Sequence, residues 1–136
     1  MRAWMGLLLL AVLLGGCSFG EDKDRGERAV ARFHELFGTS RYSEIYVDTT
    51  EGFREAATEA EFVEFLGAVR RKLGNVRESE LTDIEVNWDS DGTSIYLGYD
   101  TTYELGNATE QFVWVMEGEK ARLESYQIDS KDLILR

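Results

Sequence analysis

The chain of 136 residues has one cysteine, one histidine and no proline, and its 15 Lys and Arg are outnumbered by 26 Asp and Glu. Each shortage excludes something. The single thiol, Cys17, has no partner for an internal disulfide. With only His34 beside it, the usual zinc ligand sets cannot be assembled, and His34 itself reads as a surface or half-buried residue of a helix. Without proline, every turn falls to Gly, Asn, Asp or Ser. A net charge of −11 argues against nucleic acid as a partner, because phosphate binding needs a concentrated cationic surface. The longest basic run, Arg70-Arg71-Lys72, falls in a helical pattern as a solvated face. No Gly-rich phosphate loop or nucleophile elbow occurs. Asn87-x-Asp89-x-Asp91-Gly92 imitates half of a calcium loop, but its twelfth position is Gly98 instead of a bidentate Glu, and a hairpin turn explains the same residues. Carboxylates are so numerous that choosing an acid–base pair would be arbitrary. No catalytic residue, cofactor or metal ligand is therefore assigned.

What is present begins with a single cation, Arg2, followed by twelve residues without a polar side chain, Ala3 to Leu14, and the small pair Gly15-Gly16. A spanning helix needs about 20 apolar residues, so a signal peptide over residues 1–16 is the better reading. Leu14-Gly15-Gly16-Cys17 resembles the bacterial lipobox. That resemblance implies cleavage between Gly16 and Cys17 and attachment of diacylglyceryl and acyl (palmitate-type) chains at Cys17. Two or three such chains hold a protein to a membrane effectively for good. Ser18 stands where, in the sorting rule of Gram-negative lipoproteins, an Asp signals inner-membrane retention, which favours the outer membrane, facing the periplasm. Residues 17–27 are polar and Gly-containing, and read as a lipidated tether of up to about 33 Å when extended.

Residues 28–136 read as one α+β domain, long enough to bury a core. Ala29, Val30, Phe33, Leu36 and Phe37 repeat at helical spacing and stop at Gly38. Tyr42, Ile45 and Tyr46 suggest a short second helix. Thr58-Glu59-Ala60-Glu61 is a capping-box sequence ahead of a stripe of Phe62, Phe65, Leu66, Val69 and Leu73, which Gly74 closes. After Asn75 the period becomes two. Turns at Asp89-Ser90-Asp91-Gly92, Gly106-Asn107 and Gly118-Glu119 divide the rest into a four-stranded antiparallel meander. A two-residue loop at Gly106-Asn107 would set Thr101 opposite Phe112, Tyr99 opposite Trp114 and Leu97 opposite Met116. The other two turns pair Val86 with Ile95, Ile84 with Leu97, Met116 with Ala121 and Trp114 with Leu123. All three counts assemble one apolar face for the helices to cover. The other face carries Tyr96, Val113, Val115 and Tyr126 as a candidate interaction patch.

Helices first and a curved antiparallel sheet after them resemble the nuclear-transport-factor-two-like and cystatin-like cone folds. GNVRESELTDIEVNW, GTSIYLGYDTTYELGNATEQFVWV and ARLESYQIDS are similar to a family of small bacterial lipoproteins built on a domain of unknown function. The residues that carry the likeness are Gly74, the strand Tyr99 to Glu104, Gly106 with Ala108-Thr109-Glu110 and Phe112, and Tyr126-x-Ile128-x-Ser130. Ser125 departs from the Gly that often precedes that Tyr. The resemblance implies a fold and an envelope location, and no activity. Two functional readings stay open. One is a non-catalytic envelope lipoprotein that binds another envelope protein or a second copy of itself. The other is a module or enzyme for a small apolar molecule, held in a cone pocket lined by Tyr42, Tyr99, Tyr103 and Trp114.

Overall fold

The computed structural model describes residues 17–135; Gly16 and the rest of the expected signal peptide lie outside it, as does the Cys17 side chain. Five helices and four strands follow in order: α1 (Cys17–Gly38), α2 (Tyr42–Val47), α3 (Glu51–Ala56), α4 (Glu59–Leu73), β1 (Val76–Asp89), β2 (Gly92–Tyr103), β3 (Gly106–Glu117), β4 (Lys120–Asp129) and α5 (Lys131–Leu135). The strands form one antiparallel sheet in the order β1-β2-β3-β4, and the N-terminal helices pack against one face. Among the described residues, no helix is long and apolar enough to cross a membrane.

Helix α1 starts at Cys17, twelve residues before its apolar stripe begins at Ala29. The stretch 18–27, read from the sequence as a polar tether, is helical, and its charges pair along the helix: Lys23 with Glu27 at 3.1 Å and Arg25 with Asp22 at 3.3 Å. Tertiary contact then holds it. Asp22 is buried and accepts a hydrogen bond from Trp88 Nε1 at 3.0 Å. Gly26 lets the helix approach the sheet so closely that an added Cβ would stand 2.8 Å from Leu97 Cδ1 and 3.1 Å from Ile95 Cγ2. Further along, Val30, Phe33, Leu36 and Phe37 are buried at helical spacing.

Helix α4 has the expected capping box: Thr58 Oγ1 accepts from the Glu61 backbone N–H, and Glu61 reaches back to the Thr58 N–H. Phe62, Leu66, Val69 and Leu73 are buried, whereas Phe65, expected in the stripe, is 43% exposed against Tyr126. Gly74 closes the helix at φ 78. Helices α3 and α5 were not foreseen. Each is only five or six residues long, and α3 is fixed by a Thr50 side-chain cap on Phe53 N.

The registers at two of the three turns are as expected, with Val86 opposite Ile95, Ile84 opposite Leu97, Met116 opposite Ala121 and Trp114 opposite Leu123. The middle one differs. The β2–β3 loop is Glu104-Leu105, so Thr101 faces Ala108, Tyr99 faces Glu110 and Leu97 faces Phe112. The end of α4 selects this loop: Glu104 N–H donates to Asn75 O at 2.9 Å and Leu105 N–H to Leu73 O at 2.8 Å. Each partner moves by four residues, an even number, so the faces survive.

The second difference changes a face. Between Val113 opposite Ser125 and Trp114 opposite Leu123, strand β4 holds one extra residue, Glu124. A bulge of this kind inverts the alternation beyond it. Tyr126, expected on the outer face, therefore lies on the helix-covered face opposite Phe112. The outer edge of β4 is met by the segment before α3, where Thr50 N–H donates to Leu123 O and Leu123 N–H to Asp48 O, each at 2.9 Å.

Because Gly26 sits at the closest approach of α1 to the sheet, Gly26→Val is expected to lower stability by roughly 1–3 kcal/mol through overpacking. Urea midpoints of the variant and the wild type check this.

Candidate functional site

The sheet face beneath the helices is apolar except at one point. Glu110 on β3 is fully buried, at 0% exposure, and a bare carboxylate there would cost several kcal/mol. Four donors from three other elements surround it. Oε1 accepts from Thr101 Oγ1 at 2.6 Å and from His34 Nε2 at 2.8 Å. Oε2 accepts from the Tyr103 hydroxyl at 2.9 Å and the Tyr126 hydroxyl at 2.5 Å. A carboxylate has about four lone-pair positions, and all are taken. With no proton on Glu110 to give, His34 Nε2 carries the hydrogen, either in the neutral ring or in the imidazolium.

Local structure delivers each group. Thr101 and Tyr103 alternate onto the inner face of β2. The bulge at Glu124 brings Tyr126 inward. His34 follows Phe33 on α1, whose ring packs on Phe112 at 5.1 Å and on Tyr126 at 4.7 Å between centroids.

The electrostatics favour the ion. Burial pushes the Glu110 carboxyl up, but hydrogen bonds from His34, Thr101 and Tyr126 and the His34 charge outweigh it and hold the carboxyl below its ordinary value. The tyrosines move the other way. Burial and then the Glu110 charge push the Tyr103 and Tyr126 hydroxyls far up. Tyr99, opposite Glu110, is raised to about 12 by burial, Glu27 and Glu110. Chemically, the arrangement is an ionised carboxylate that holds α1, β2, β3 and β4 together. Its partners His34 and Tyr126 are partly exposed, so reaching it from solvent would require one of these side chains or α1 to move.

Sequence reasoning missed this centre. His34 was expected at most half-buried without a role, and the inner face was read as apolar. The available signal was parity: Glu110 lies between Ala108 and Phe112 on the same side of β3. Of the expected pocket residues, Tyr99, Tyr103 and Trp114 are buried and Tyr42 partly so. They surround two core rings. Phe37 contacts Tyr42 and Tyr103, and Phe112 contacts Tyr99 and Trp114. Beside Trp114, with Phe33, Leu36 and Ile45, is a cavity of about 40 Å³, room for a few waters. The Trp114 indole N–H has no partner among the described residues. Of the expected interaction patch, Tyr96, Val113 and Val115 are partly exposed on the outer face, and Tyr126 is partly buried on the helix-covered face, packed against the core. Among the described residues, no three His, Cys, Asp or Glu side chains are grouped to hold a metal ion.

No protein-family model matches the chain, and no curated protein matches it in sequence.

Glu110→Ala strands four buried donors and is expected to cost roughly 3–5 kcal/mol, and Tyr126→Phe about 1.5–3 kcal/mol, in chemical denaturation. The pH dependence follows from the shift directions. The unfolded Glu110 carboxyl takes a proton near about 4.3 and the folded one only below that. Its stabilisation is therefore present above the ordinary value and lost as pH falls through the folded one. Raised Tyr103 and Tyr126 values give stability that is present below about 10 and lost as pH rises beyond it. Denaturation across pH should show the acid limb flattened in Glu110→Gln.

Proposed function

We propose that the chain is a lipid-anchored lipoprotein of the bacterial cell envelope, in the outer membrane facing the periplasm where the host is Gram-negative. Its domain, of the nuclear-transport-factor-two-like or cystatin-like cone type, binds a protein instead of transforming a substrate. The observation that carries the non-catalytic reading is Glu110. This carboxylate beneath the helices has every acceptor position filled and no exposed surface, so no substrate touches it in this arrangement. A small apolar ligand would need more room than the cavity of about 40 Å³ beside Trp114 supplies.

Binding then falls to the outside. The outer sheet face offers Tyr96, Val113 and Val115 between polar neighbours, Glu85 on β1 and Arg122 on β4, a mixed surface suited to an envelope protein or a second copy of the chain. For the anchor, support comes from Leu14-Gly15-Gly16-Cys17 directly behind the apolar run.

Two measurements test the reading. The mass of the membrane-extracted protein should be that of residues 17–136 plus acyl chains, and Cys17→Ser should stay unlipidated; an intact leader with an unmodified thiol would sink the anchor. Tyr96→Ala and Val115→Asp should each weaken association at least several-fold, in sedimentation for self-association and in pull-down for an envelope partner, with thermal unfolding unchanged. Wild-type behaviour of both in both assays would clear that face of the role.

A further inference from the structure

The head of α1 and the β1–β2 hairpin meet at one end of the molecule, and that end exposes two aromatic rings. Phe19 is 45% exposed and Trp88 is 54% exposed. Both are set around one buried carboxylate. Trp88 Nε1 donates to Asp22 Oδ2 at 3.0 Å. Phe19 stands three residues before Asp22, one turn earlier on the same side of α1. Asp22 is itself fixed by Arg25 at 3.3 Å. The polar edge of the indole is thus satisfied within the protein, while over half of its surface stays open.

What arrives at this end is written in the chain. Helix α1 begins at Cys17, two residues before Phe19, and in the proposed lipoprotein Cys17 carries the acyl chains that enter the bilayer. Aromatic rings with a satisfied polar edge favour the boundary between water and hydrocarbon. We infer that Phe19 and Trp88 are seated in the headgroup layer of the bilayer that holds Cys17, docking the domain with the first turn of α1 and the β1–β2 hairpin against the lipid. This deepens the lipoprotein reading and rests on it. The sheet then stands with its hairpin toward the membrane, and its outer face is open from the side.

The charges at this end give the contact a distinctive salt dependence. Asp24, Asp89 and Asp91 lie near the two rings in sequence, while Lys23 is paired with Glu27 and Arg25 with both Asp22 and Glu21. An anionic bilayer therefore repels this end, and only apolar contact holds it there. Salt, which loosens basic proteins from acidic lipid, should tighten this one by screening the repulsion.

The test uses the full chain made in a host that processes lipoproteins, purified with its lipid verified by mass and reconstituted into phosphatidylcholine vesicles brominated near the headgroup end of the acyl chains. Trp114 is 4% exposed in the core and Trp4 leaves with the leader, so quenching reports Trp88. Bromine should quench the wild type, Trp88→Phe should abolish the effect, and Phe19→Ser should reduce it at unchanged lipid mass. With phosphatidylglycerol added, quenching should fall at low salt and return as salt rises. A lipidated, vesicle-bound protein whose emission is the same in brominated and plain lipid overturns the inference while leaving the anchor standing. So does shielding of Trp88 from acrylamide before any vesicle is present, which would assign the rings to another part of the chain. An unlipidated Cys17 removes the anchor, and the docking with it.

Discussion

A carboxylate without solvent governs this molecule. Ionised Glu110 is tolerable inside only because donors from α1, β2 and β4 converge on it from β3's two sides and from above. Each donor is useful within a few tenths of an ångström of hydrogen-bond distance, so the carboxylate sets how far α1 can slide across the sheet. A leucine at position 110 would pack against several placements of the helix, whereas the carboxylate accepts one. Buried ion pairs add little stability over apolar side chains of the same size. In this fold the return is a defined placement of α1, and with it the packing of Phe33 edge-on against Phe112 and tilted against Tyr126.

That convergence needs two departures from the simplest meander. Had the β2–β3 loop been Gly106-Asn107, Glu110 would have stood opposite Tyr103 instead of Tyr99, and the four-donor set would not have closed. The end of α4 forbids it by taking the Glu104 and Leu105 amides for its own last carbonyls and for Asn75. Had β4 run without the extra Glu124, Tyr126 would point to solvent and Oε2 would lose a partner. Neither device lies next to Glu110 in sequence. The site is the product of a helix terminus at one end of the sheet and a bulge in the middle of β4.

This explains what could be read from the chain. Elements with a strong local cause were legible: the Thr58–Glu61 capping box, Gly74 as a stop, the alternation of Ile84, Val86 and Trp88, and two turns whose registers held. The even parity of the third register kept the apolar face right although the loop was not. Bulges carry no local signature, so Tyr126 was assigned to the wrong face, and a charge pattern that serves equally for coil and for paired helix hid the first ten residues of α1. Of the candidate site, Tyr103 was named for its ring. The role of its hydroxyl was not legible, because Glu110 looks like any of the chain's many acidic residues until its neighbours across three strands are known.

Helix α1 connects Cys17 to the buried carboxylate. A flexible stretch over residues 18–27 could place the domain anywhere within about 33 Å of Cys17, whereas the same ten residues as helix advance only about 15 Å and do so in one direction. That direction is not free, because α1 is held at three depths: by Asp22 to Trp88, by the close approach of Gly26 to Leu97, and by His34 to Glu110. A group attached at Cys17 is therefore attached to the core through a rigid lever. Under the proposed anchoring, the acidic body would not swing to find its least repelled orientation; the lever would set which surface meets the bilayer and leave the sheet's outer side for a partner.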